Sequence, residues 1–410
     1  SGFYGGFYSG DIAEKDIQPV KIAIDICTYK RERFIEKNLK LLNERFLENP
    51  DSFLQNKLEV FVSDNAHTLD IPALSSENIH IVQNKNVGGA GGFTRGMIEI
   101  NRVKQQRHIT HILVMDDVTI EPESLFRTCT FLSCRKAQYQ HLFIGGAMLR
   151  LDTQCIQTEA GAVWNGGELI SLKHGLDLRE LDACLYNELE EKTQFNAWWY
   201  CVFPSEVVTD QNLPMPIFIR GDDVEFSVAN HAEFLTLNGI CIWHKGFANK
   251  FNANLELYMV HRNSLIIQAM SGICKDIDFI KRIQGFFETE IRRLAYNNCD
   301  LLLDAVEEFC AGPDFMKTPQ GEQIMKSHAA KNEKMRPAAM VYSKPIDFDR
   351  VYRKEEKQLT PTQKWWYQVT DNGQKLPDWF LKKDKTAIIA YDWFDDPAKE
   401  YFAEQVLAVS

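Results

Sequence analysis

The chain lacks long apolar runs and closely paired cysteines. No stretch approaches the roughly 20 apolar residues that a membrane-spanning helix needs, and the N-terminus lacks the basic-then-apolar order of a signal peptide. The 10 cysteines form no C-x-x-C pair, so neither a zinc ribbon nor a disulfide scaffold is indicated. We therefore expect reduced thiols, a cytoplasmic protein and, at most, a peripheral contact with the inner face of the plasma membrane.

Positive charge is also scarce. The chain has 46 Lys and Arg against 57 Asp and Glu, and its net charge of −11 argues against a duplex nucleic-acid partner. Its 410 residues, 45% of them hydrophobic, are enough for a large core and exceed one ordinary domain. Because the sequence opens at Ser1-Gly2 without methionine, we expect residues 1–19 to be a leader or the remnant of a trimmed domain.

From Val20 onward, apolar strand-like runs alternate with helical ones. The strand-like runs are residues 21–27, 58–63 and 79–82, and an amphipathic helical run covers 33–47. Such alternation predicts βαβ units, and therefore an α/β fold with a mainly parallel sheet flanked by helices. After residue 265, helical periodicity over 277–303 predicts a mostly α-helical C-terminal region, with aromatic residues in the tail that fit an oligomer or membrane contact.

A glycine-rich run, Gly88-Gly-Ala-Gly-Gly92, follows a predicted strand and precedes a predicted helix over 94–103. Backbone amides there could meet a nucleotide phosphate or ribose, although a tight strand-to-helix turn explains the same glycines. The spacing is not that of a dinucleotide fingerprint. The first strand-to-helix loop, residues 27–33, is polar and basic, which suits an anionic ligand and argues against a dehydrogenase.

Two acidic pairs and one histidine are residue types that suit a site where a group is transferred from a diphosphate to a hydroxyl. Asp116-Asp117 closes the apolar run 111–115, Asp222-Asp223 follows a strand-like run over 216–219, and His244 follows Trp243. A metal could hold a diphosphate while a separate carboxylate deprotonates an acceptor hydroxyl. Each group also has a structural explanation, namely a cap after a strand, the first turn of a helix over 224–237, and a core or surface histidine.

In combination, these motifs resemble those of inverting family-2 glycosyltransferases, and most of all bacterial galactofuranosyltransferases. The motifs are Thr28-Tyr-Lys-Arg31, Val62-Ser-Asp-Asn65, the run from Asn84 to Gly96, Met115-Asp-Asp117, Trp198-Trp199, Asp222-Asp-Val-Glu225, Trp243-His244 and His261-Arg-Asn263. The resemblance implies a GT-A catalytic domain over residues 20–265, followed by the helical region 266–410. It further implies inverting transfer of a sugar, galactofuranose from UDP-galactofuranose, to a glycan hydroxyl.

The resemblance also assigns roles to residues. The donor-binding set is Thr28, Arg31, Asp64, Asn86, Gly88, Gly89, Arg95 and Asp116. Within it, Thr28, Asp64 and Asn86 would hold uracil and ribose, and Arg95 would reach the diphosphate.

The remaining roles concern the metal, the base and the sugars. Asp116 or Asp117 with His244 would hold a divalent metal, Mn or Mg. Asp223 would be the base, assisted by Asp222. The residues expected around the acceptor or donor sugar are Trp198, Trp199 and His261.

One departure concerns the acidic run at Asp116-Asp117, where the family usually has three aspartates. Side chains alternate between faces of an extended chain, so the loss of one residue changes which carboxylates can chelate together. Two alternatives stay open: a rhamnosyl- or pyranosyl-transferase of the same superfamily, and a catalytically degenerate sugar-nucleotide-binding protein. The expected partners are a UDP-sugar, a glycan or lipid-linked glycan acceptor, and a second copy of the chain in a homo-oligomer.

Overall fold

The computed structural model describes residues 10–116, 118–165, 168–245, 252–272, 279–292, 295–318, 321–332, 351–352, 360–370, 375–377, 379, 386–390 and 405–409. The chain forms two compact units that interleave in sequence. The first comprises Ser1–Lys245, Asn263–Lys275 and Pro313–Gln323, and the second comprises Gly246–Arg262, Asp276–Gly312 and Ile324–Ser410. The domain boundary that the sequence predicts at residue 265 stays a prediction.

The first unit holds the main sheet and its covering helices. Its strands are β1 (Ile22–Thr28), β2 (Leu58–Asp64), β3 (Ile79–Gln83), β4 (His111–Met115), β5 (Thr119–Ile120), β6 (Phe143–Arg150), β7 (Ile156–Glu159), β8 (Ala162–Asn165), β9 (Glu168–Ser171), β10 (Leu176–Asp177), β11 (Cys201–Pro204) and β12 (Phe234–His244). Its helices are α1 (Glu32–Leu42), α2 (Ile71–Leu74), α3 (Gly88–Val103), α4 (Pro122–Cys134), α5 (Leu181–Asn187) and α6 (Asp222–Ala229). Helix α7 (Val260–Ser271) begins in the second unit and enters the first at Asn263.

The main sheet is mixed, with a parallel half built from the N-terminal strands. The strand order is β10-β7-β6-β11-β4-β1-β2-β3, and β12 pairs with β6 and β5. Strands β1 to β4 pair in parallel, whereas β11 runs antiparallel to both of its neighbours, β4 and β6. Strand β12 runs parallel to β6, and β8 and β9 form a separate hairpin. The predicted α/β class, with a largely parallel sheet flanked by helices, is confirmed.

Strands β1 and β2 are buried along their whole length, as expected for parallel strands covered on both faces. Alternation along β1 sends Ile22, Ile24 and Ile26 into one apolar cluster, together with α1 and α4. Ala23 and Cys27 enter a second cluster on the opposite face, together with α3. The ends of these strands therefore lie between two packed layers, where loop residues are held in place.

Helix α3 begins at Gly88, so the glycine run predicted as a loop is helical. A Cβ at Gly92 would lie 2.1 Å from Cys27 Sγ, and one at Gly96 would lie 1.8 Å from Asp25 Oδ1. The helix therefore packs directly on β1, closer than any other residue type allows. The prediction missed this because glycine lowers helix propensity, and tertiary packing overrides that propensity here.

The helix predicted over 224–237 is shorter than expected. Helix α6 ends at Ala229, and His231 takes a left-handed backbone conformation with φ 48°. A left-handed residue just after a helix is a common stop signal. Residues 234–236 then pair with β6 as the first part of β12, so the apolar residues that suggested a longer helix belong to a strand.

The second unit is mostly helical, as predicted. It contains α8 (Phe279–Arg292), α9 (Tyr296–Cys310), the greater part of α10 (Glu322–Ser327) and α11 (Pro361–Val369). Three strands that were not predicted, β13 (Val351–Tyr352), β14 (Thr386–Ala390) and β15 (Gln405–Val409), form a small parallel sheet. Within the described part of the chain, none of the helices has both the length and the apolarity needed to cross a bilayer.

Candidate functional site

The segment that leads into α6, residues 215–221, is a succession of tight turns, which we call the entry turn. The strand predicted over 216–219 is absent. The Ile217 N–H donates to the Met215 carbonyl at 2.8 Å, and the Ile219 N–H donates to the Ile217 carbonyl at 3.1 Å. Phe218 and Arg220 both have positive φ, 75° and 71°. Backbone strain of this kind in non-glycine residues persists only where the surroundings enforce it, often at functional sites.

Asn263 on α7 provides that enforcement. Its Nδ2 donates to the carbonyl oxygens of Ile219 at 2.8 Å and Arg220 at 2.7 Å. The side chain is buried and lies beside Gly221, whose φ of 88° also needs glycine. Asn263 belongs to the motif His261-Arg-Asn263, but the sequence predicted no role for it. It holds the entry turn, and thereby the start of α6.

The entry turn delivers Asp222 and Asp223 to the first turn of α6, where both carboxyl groups are half-buried. Burial raises the pKa of each, and for Asp222 the charge of Asp223 adds to the rise. The Val224 N–H, the charge of Arg220 and the backbone of Trp198 oppose the rise for Asp223. Two adjacent carboxyl groups that disfavour simultaneous ionisation can hold one proton near neutral pH.

Glu159, at the end of β7, is a third carboxyl group of this site, and sequence reasoning missed it. Its side chain is buried, and Ser171 Oγ donates a hydrogen bond to Glu159 Oε2. Burial raises the pKa of Glu159 to about 7, and the charge of Asp223 contributes to the rise. No motif surrounds Glu159, so only the folded chain brings it near Asp223.

The start of α3 faces the acidic pair. A Cβ on Gly89 would lie 3.2 Å from Asp222 Oδ2, and the Ala90 N–H donates to the Phe218 carbonyl of the entry turn at 3.2 Å. The N-termini of α3 and α6 therefore converge. The partial positive charges of two helix starts favour an anion between them.

Amide side chains hold the loop in front of α3. Asn65 Nδ2 donates to the Gly88 carbonyl at 3.0 Å, and Asn84 Nδ2 donates to Asn65 Oδ1 at 2.9 Å. Asn86 Oδ1 accepts the Gly88 N–H at 3.2 Å. Asn86 and the two glycines of the donor-binding prediction, Gly88 and Gly89, thus lie at one place, the first turn of α3.

The other residues predicted to bind the donor lie on neighbouring elements. Thr28 ends β1, and its buried Oγ1 has no hydrogen-bond partner among the residues that the structure describes. Asp64 ends β2, where its carboxylate accepts the Ala66, Thr68 and Leu69 N–H groups and so shapes the following loop. The donor role of both residues stays a prediction.

Two predicted cationic residues have different surroundings. Arg31 is the N-cap residue of α1 and lies 5.6 Å from the centre of the Phe34 ring. Arg95 lies in the second turn of α3, and its Nε donates to Glu99 Oε1 at 2.9 Å. A contact between Arg95 and a diphosphate would therefore compete with this ion pair.

The two predicted sugar-binding tryptophans are in the core. Trp198 is 5% exposed and packs edge-on against Phe93 and Phe226, with ring centres 5.3 and 5.8 Å away. Trp199 is 9% exposed and donates from Nε1 to the Gly146 carbonyl at 3.1 Å. Trp198 nevertheless belongs to the site, because its backbone hydrogen-bonds Asp223 and its ring links α3 to α6.

His261, the third predicted sugar-binding residue, lies in the second unit at the start of α7. Its Nδ1 lies 3.1 Å from the Glu256 carbonyl, and its ring packs edge-on against Phe286. Burial lowers the pKa of His261 to about 4, so the imidazole is neutral at physiological pH. Its sugar contact stays a prediction.

Asp116, Asp117 and His244 form the predicted metal set. Asp116 directly follows β4, and its charge contributes to the raised pKa of Asp222. Strand β5 pairs antiparallel with β12, with Trp243 opposite Thr119, so the chain brings buried His244 next to the segment after the acidic pair. Asp117 lies outside the described residues. Among the residues that are described, no three potential ligands form a metal-binding group.

Comparisons with known proteins agree with the motifs. No family model matches the chain. The chain is 26% identical over 288 residues to galactofuranosyltransferase GlfT2 of Mycobacterium tuberculosis, which covers 63% of this chain and 44% of that protein. It is also 26% identical over 271 residues to GlfT2 of Mycolicibacterium smegmatis, covering 61% of this chain and 41% of the relative. The chain therefore spans less than half the length of both relatives.

Solved structures give a weaker likeness. A mannosyltransferase from Pyrobaculum calidifontis, in complex with GDP-Man and Mn2+, has a TM-score of 0.37 at 13% identity, over 82% of this chain and 85% of that one. S. aureus TarS in complex with UDP has a TM-score of 0.40 at 13% identity, over 76% and 88%. Likeness at this level carries no argument about function. The sequence similarity does confirm the resemblance predicted from the motifs: this chain resembles the bacterial galactofuranosyltransferases.

Proposed function

We propose that this chain is an inverting glycosyltransferase that transfers galactofuranose from UDP-galactofuranose to a glycan hydroxyl in cell-surface polysaccharide synthesis. One observation carries the proposal: the Asp222-Asp223 pair lies where the starts of α3 and α6 converge, in a chain similar to galactofuranosyltransferases. A base next to an anion-favouring position is what sugar transfer from a nucleotide donor requires.

Asp223 is the base in this mechanism. It takes the proton from the acceptor hydroxyl as the oxygen attacks the anomeric carbon from the face opposite to the leaving diphosphate, so the configuration inverts. The raised pKa of Asp223 suits this role, because a carboxylate with a pKa near neutrality is a stronger base than an ordinary aspartate. Burial of the Asp223 carboxyl group causes the raised value, and the charge of Asp223 in turn raises the pKa of Asp222 and of Glu159.

We place the leaving uridine diphosphate at the first turn of α3, where the partial positive charge of the helix start favours phosphate. Thr28, with its buried hydroxyl, and Asn86 contact the nucleoside side of the donor. Carboxylate and imidazole ligands suit Mn or Mg, so Asp116, Asp117 and His244 would hold a divalent metal. Such a metal would supply positive charge to the diphosphate as it leaves.

The acceptor is a glycan or lipid-linked glycan, used in the cytoplasm or at the inner face of the plasma membrane. Its hydroxyl approaches Asp223 from the side of Glu159 and Ser171, on the β7 end and the β8–β9 hairpin. A homo-oligomer is part of the proposal and is tested by measuring molecular mass in solution.

The deciding experiment is a donor screen. With UDP-galactofuranose, Mn2+ and a galactose-containing acceptor, the protein should release UDP and form a β-linked galactofuranosyl product, identified by NMR. Turnover with a deoxythymidine-diphosphate rhamnose instead would make the chain a rhamnosyltransferase of the same superfamily. Tight UDP binding without turnover of any donor would make it a degenerate sugar-nucleotide-binding protein.

A further inference from the structure

A C-terminal segment of the chain, Pro313–Gln323, belongs to the first unit and contacts the loop in front of α3. Gly321 in this segment is buried and has a φ of 50°, and a Cβ there would lie 2.6 Å from the carbonyl oxygen of Asn86. Asn86 Nδ2 also donates to Oε1 of the next residue, Glu322, at 2.9 Å. Two successive residues of the segment are thus fitted to the same loop residue.

The same carboxylate oxygen reaches a second loop. Tyr29 Oη donates to Glu322 Oε1 at 2.7 Å. Tyr29 follows β1 and Asn86 follows β3, so the two loops leave the carboxyl edge of the parallel strands. This edge is where ligands bind in open α/β sheets. Glu322 therefore joins two loops that flank the proposed nucleotide position.

This bridge also determines how the Asn86 amide is turned. Its Nδ2 donates to Glu322 while its Oδ1 accepts the Gly88 N–H at 3.2 Å. A flipped amide would lose both hydrogen bonds, because each end would face a group of the wrong kind. Since Gly88 is the first residue of α3, the bridge links the C-terminal segment to the helix start that receives the diphosphate.

We propose that Glu322 is a positioning residue of the donor site, which holds Asn86 and Tyr29 in the arrangement that binds the uridine nucleotide. The proposal deepens the proposed function and rests on it. The C-terminal segment is then part of the donor site, although the motifs that carry the resemblance to galactofuranosyltransferases all lie before residue 265.

The test measures UDP binding by calorimetry for the wild type, Glu322→Ala and Glu322→Gln. We expect Glu322→Ala to weaken UDP binding about tenfold, the size of effect that loss of a charge-assisted hydrogen bond produces. Glu322→Gln should stay within about twofold of the wild type, because its amide oxygen accepts the same two hydrogen bonds. Asp314→Ala removes another carboxylate of the segment, one that is 84% exposed, and should change nothing.

Kinetics separate positioning from loss of structure. In Glu322→Ala the KM for the donor should rise while kcat and the acceptor KM stay near the wild-type values, and the melting temperature should be retained. If both Glu322 variants bind UDP as the wild type does, or more tightly, Glu322 does not position the donor loops. Tighter binding in both variants would show instead that the carboxylate opposes the nucleotide.

A second readout does not depend on UDP. If the wild type binds no UDP, the proposed function fails. Amide hydrogen exchange of the unliganded protein then tests the bridge by itself. Exchange at Gly88 to Ala90 should be faster in Glu322→Ala and unchanged in Glu322→Gln. Equal exchange in the wild type and Glu322→Ala would overturn the inference.

Discussion

At the scale of single residues, Asp223 has two roles that substitution can separate. It lies in the first turn of α6, where a negative charge complements the helix dipole, and it is the proposed base. Asparagine keeps the shape and a polar oxygen but cannot accept the proton. We expect Asp223→Asn to abolish transfer while the UDP affinity and melting temperature remain near wild-type values, as measured by calorimetry.

The control for this prediction is Ser227→Ala, which removes a hydroxyl that donates to the Asp223 carbonyl but leaves the carboxylate in place. Ser227→Ala should retain most of the activity. An active Asp223→Asn protein would remove Asp223 as the base. An unfolded one would show that its contribution to α6 is the larger of the two.

Because Glu159 is buried, we expect the free energy of unfolding to depend on pH. Its pKa in the folded chain is about 7, above the ordinary value of 4.5, so its ionisation opposes folding. The stability contributed by protonated Glu159 is complete below pH 4.5 and is lost as the pH rises through 7. Glu159→Gln mimics the protonated form. Its stability relative to the wild type should therefore improve between pH 5 and pH 8, by on the order of 3 kcal/mol.

Urea unfolding at both pH values provides the measurement. Glu44→Gln, at a side chain that is 62% exposed, is the matched control and should run parallel to the wild type. A constant difference between Glu159→Gln and the wild type across this pH range would mean that Glu159 is already ionised in the folded protein.

At the scale of elements, the glycines of α3 matter because they let the helix pack close to β1, and not because they make the backbone flexible. Gly96→Ala places a Cβ 1.8 Å from Asp25 Oδ1, so α3 must move away from β1. Shifts of this kind cost about 1–3 kcal/mol, and we expect a clearly lower melting temperature. Gly285→Ala, on α8, meets nothing within 4 Å and should leave the melting temperature unchanged or raise it, because alanine favours a helix. Equal effects of both changes would contradict the packing explanation.

Much of the first unit could be predicted from hydrophobic pattern, because β1, β2 and β4 are mostly apolar runs that end at polar motifs. The helical start of α3 could not be predicted, since it depends on the approach of Cys27 and Asp25. The entry turn read as a strand for a similar reason: its apolar residues, Ile217 and Phe218, are buried anchors between turns. The hydrophobic pattern of a sequence indicates which residues are buried, and a buried turn has the same apolar composition as a short strand.

The candidate site was predictable where its residues occur as motifs. Asp222 and Asp223 were found in this way, and Asp116 belongs to their electrostatic environment. Glu159, Asn263 and Glu322 were not assigned roles, because each acts through a contact with a distant part of the chain. Trp198 was associated with the site for its ring, whereas the structure shows a backbone hydrogen bond to Asp223.

At the scale of the whole molecule, the metal prediction depends on segments far apart in sequence that the sheet brings together. If Asp116 or Asp117 shares a metal with His244, chelation should weaken UDP binding to the wild type, and His244→Ala should be weakened already and insensitive to the chelator. His141→Ala, at an exposed histidine that contacts Glu206 and Gln140, is the control. Calorimetric titration of UDP with Mn2+ or with chelator gives the comparison.

Unchanged UDP affinity and turnover after chelation would refute the metal assignment. The charge of the leaving diphosphate would then be balanced by Arg95 and by the basic residues Lys30, Arg31 and Arg33, together with the start of α3. In that case Arg95→Ala should lower the affinity for UDP more than His244→Ala does, although Arg95→Ala also breaks the ion pair with Glu99.

Strand β11 has a consequence for how the chain is made. Its four residues, Cys201–Pro204, are the link in the strand order between β4 and β6. During synthesis the parallel strands β1 to β4 leave the ribosome first, and the edge of β4 has no partner until β11 follows. An open apolar edge invites pairing with other chains. Nascent chains that stall before residue 201 should therefore need chaperones, and fragments ending there should aggregate.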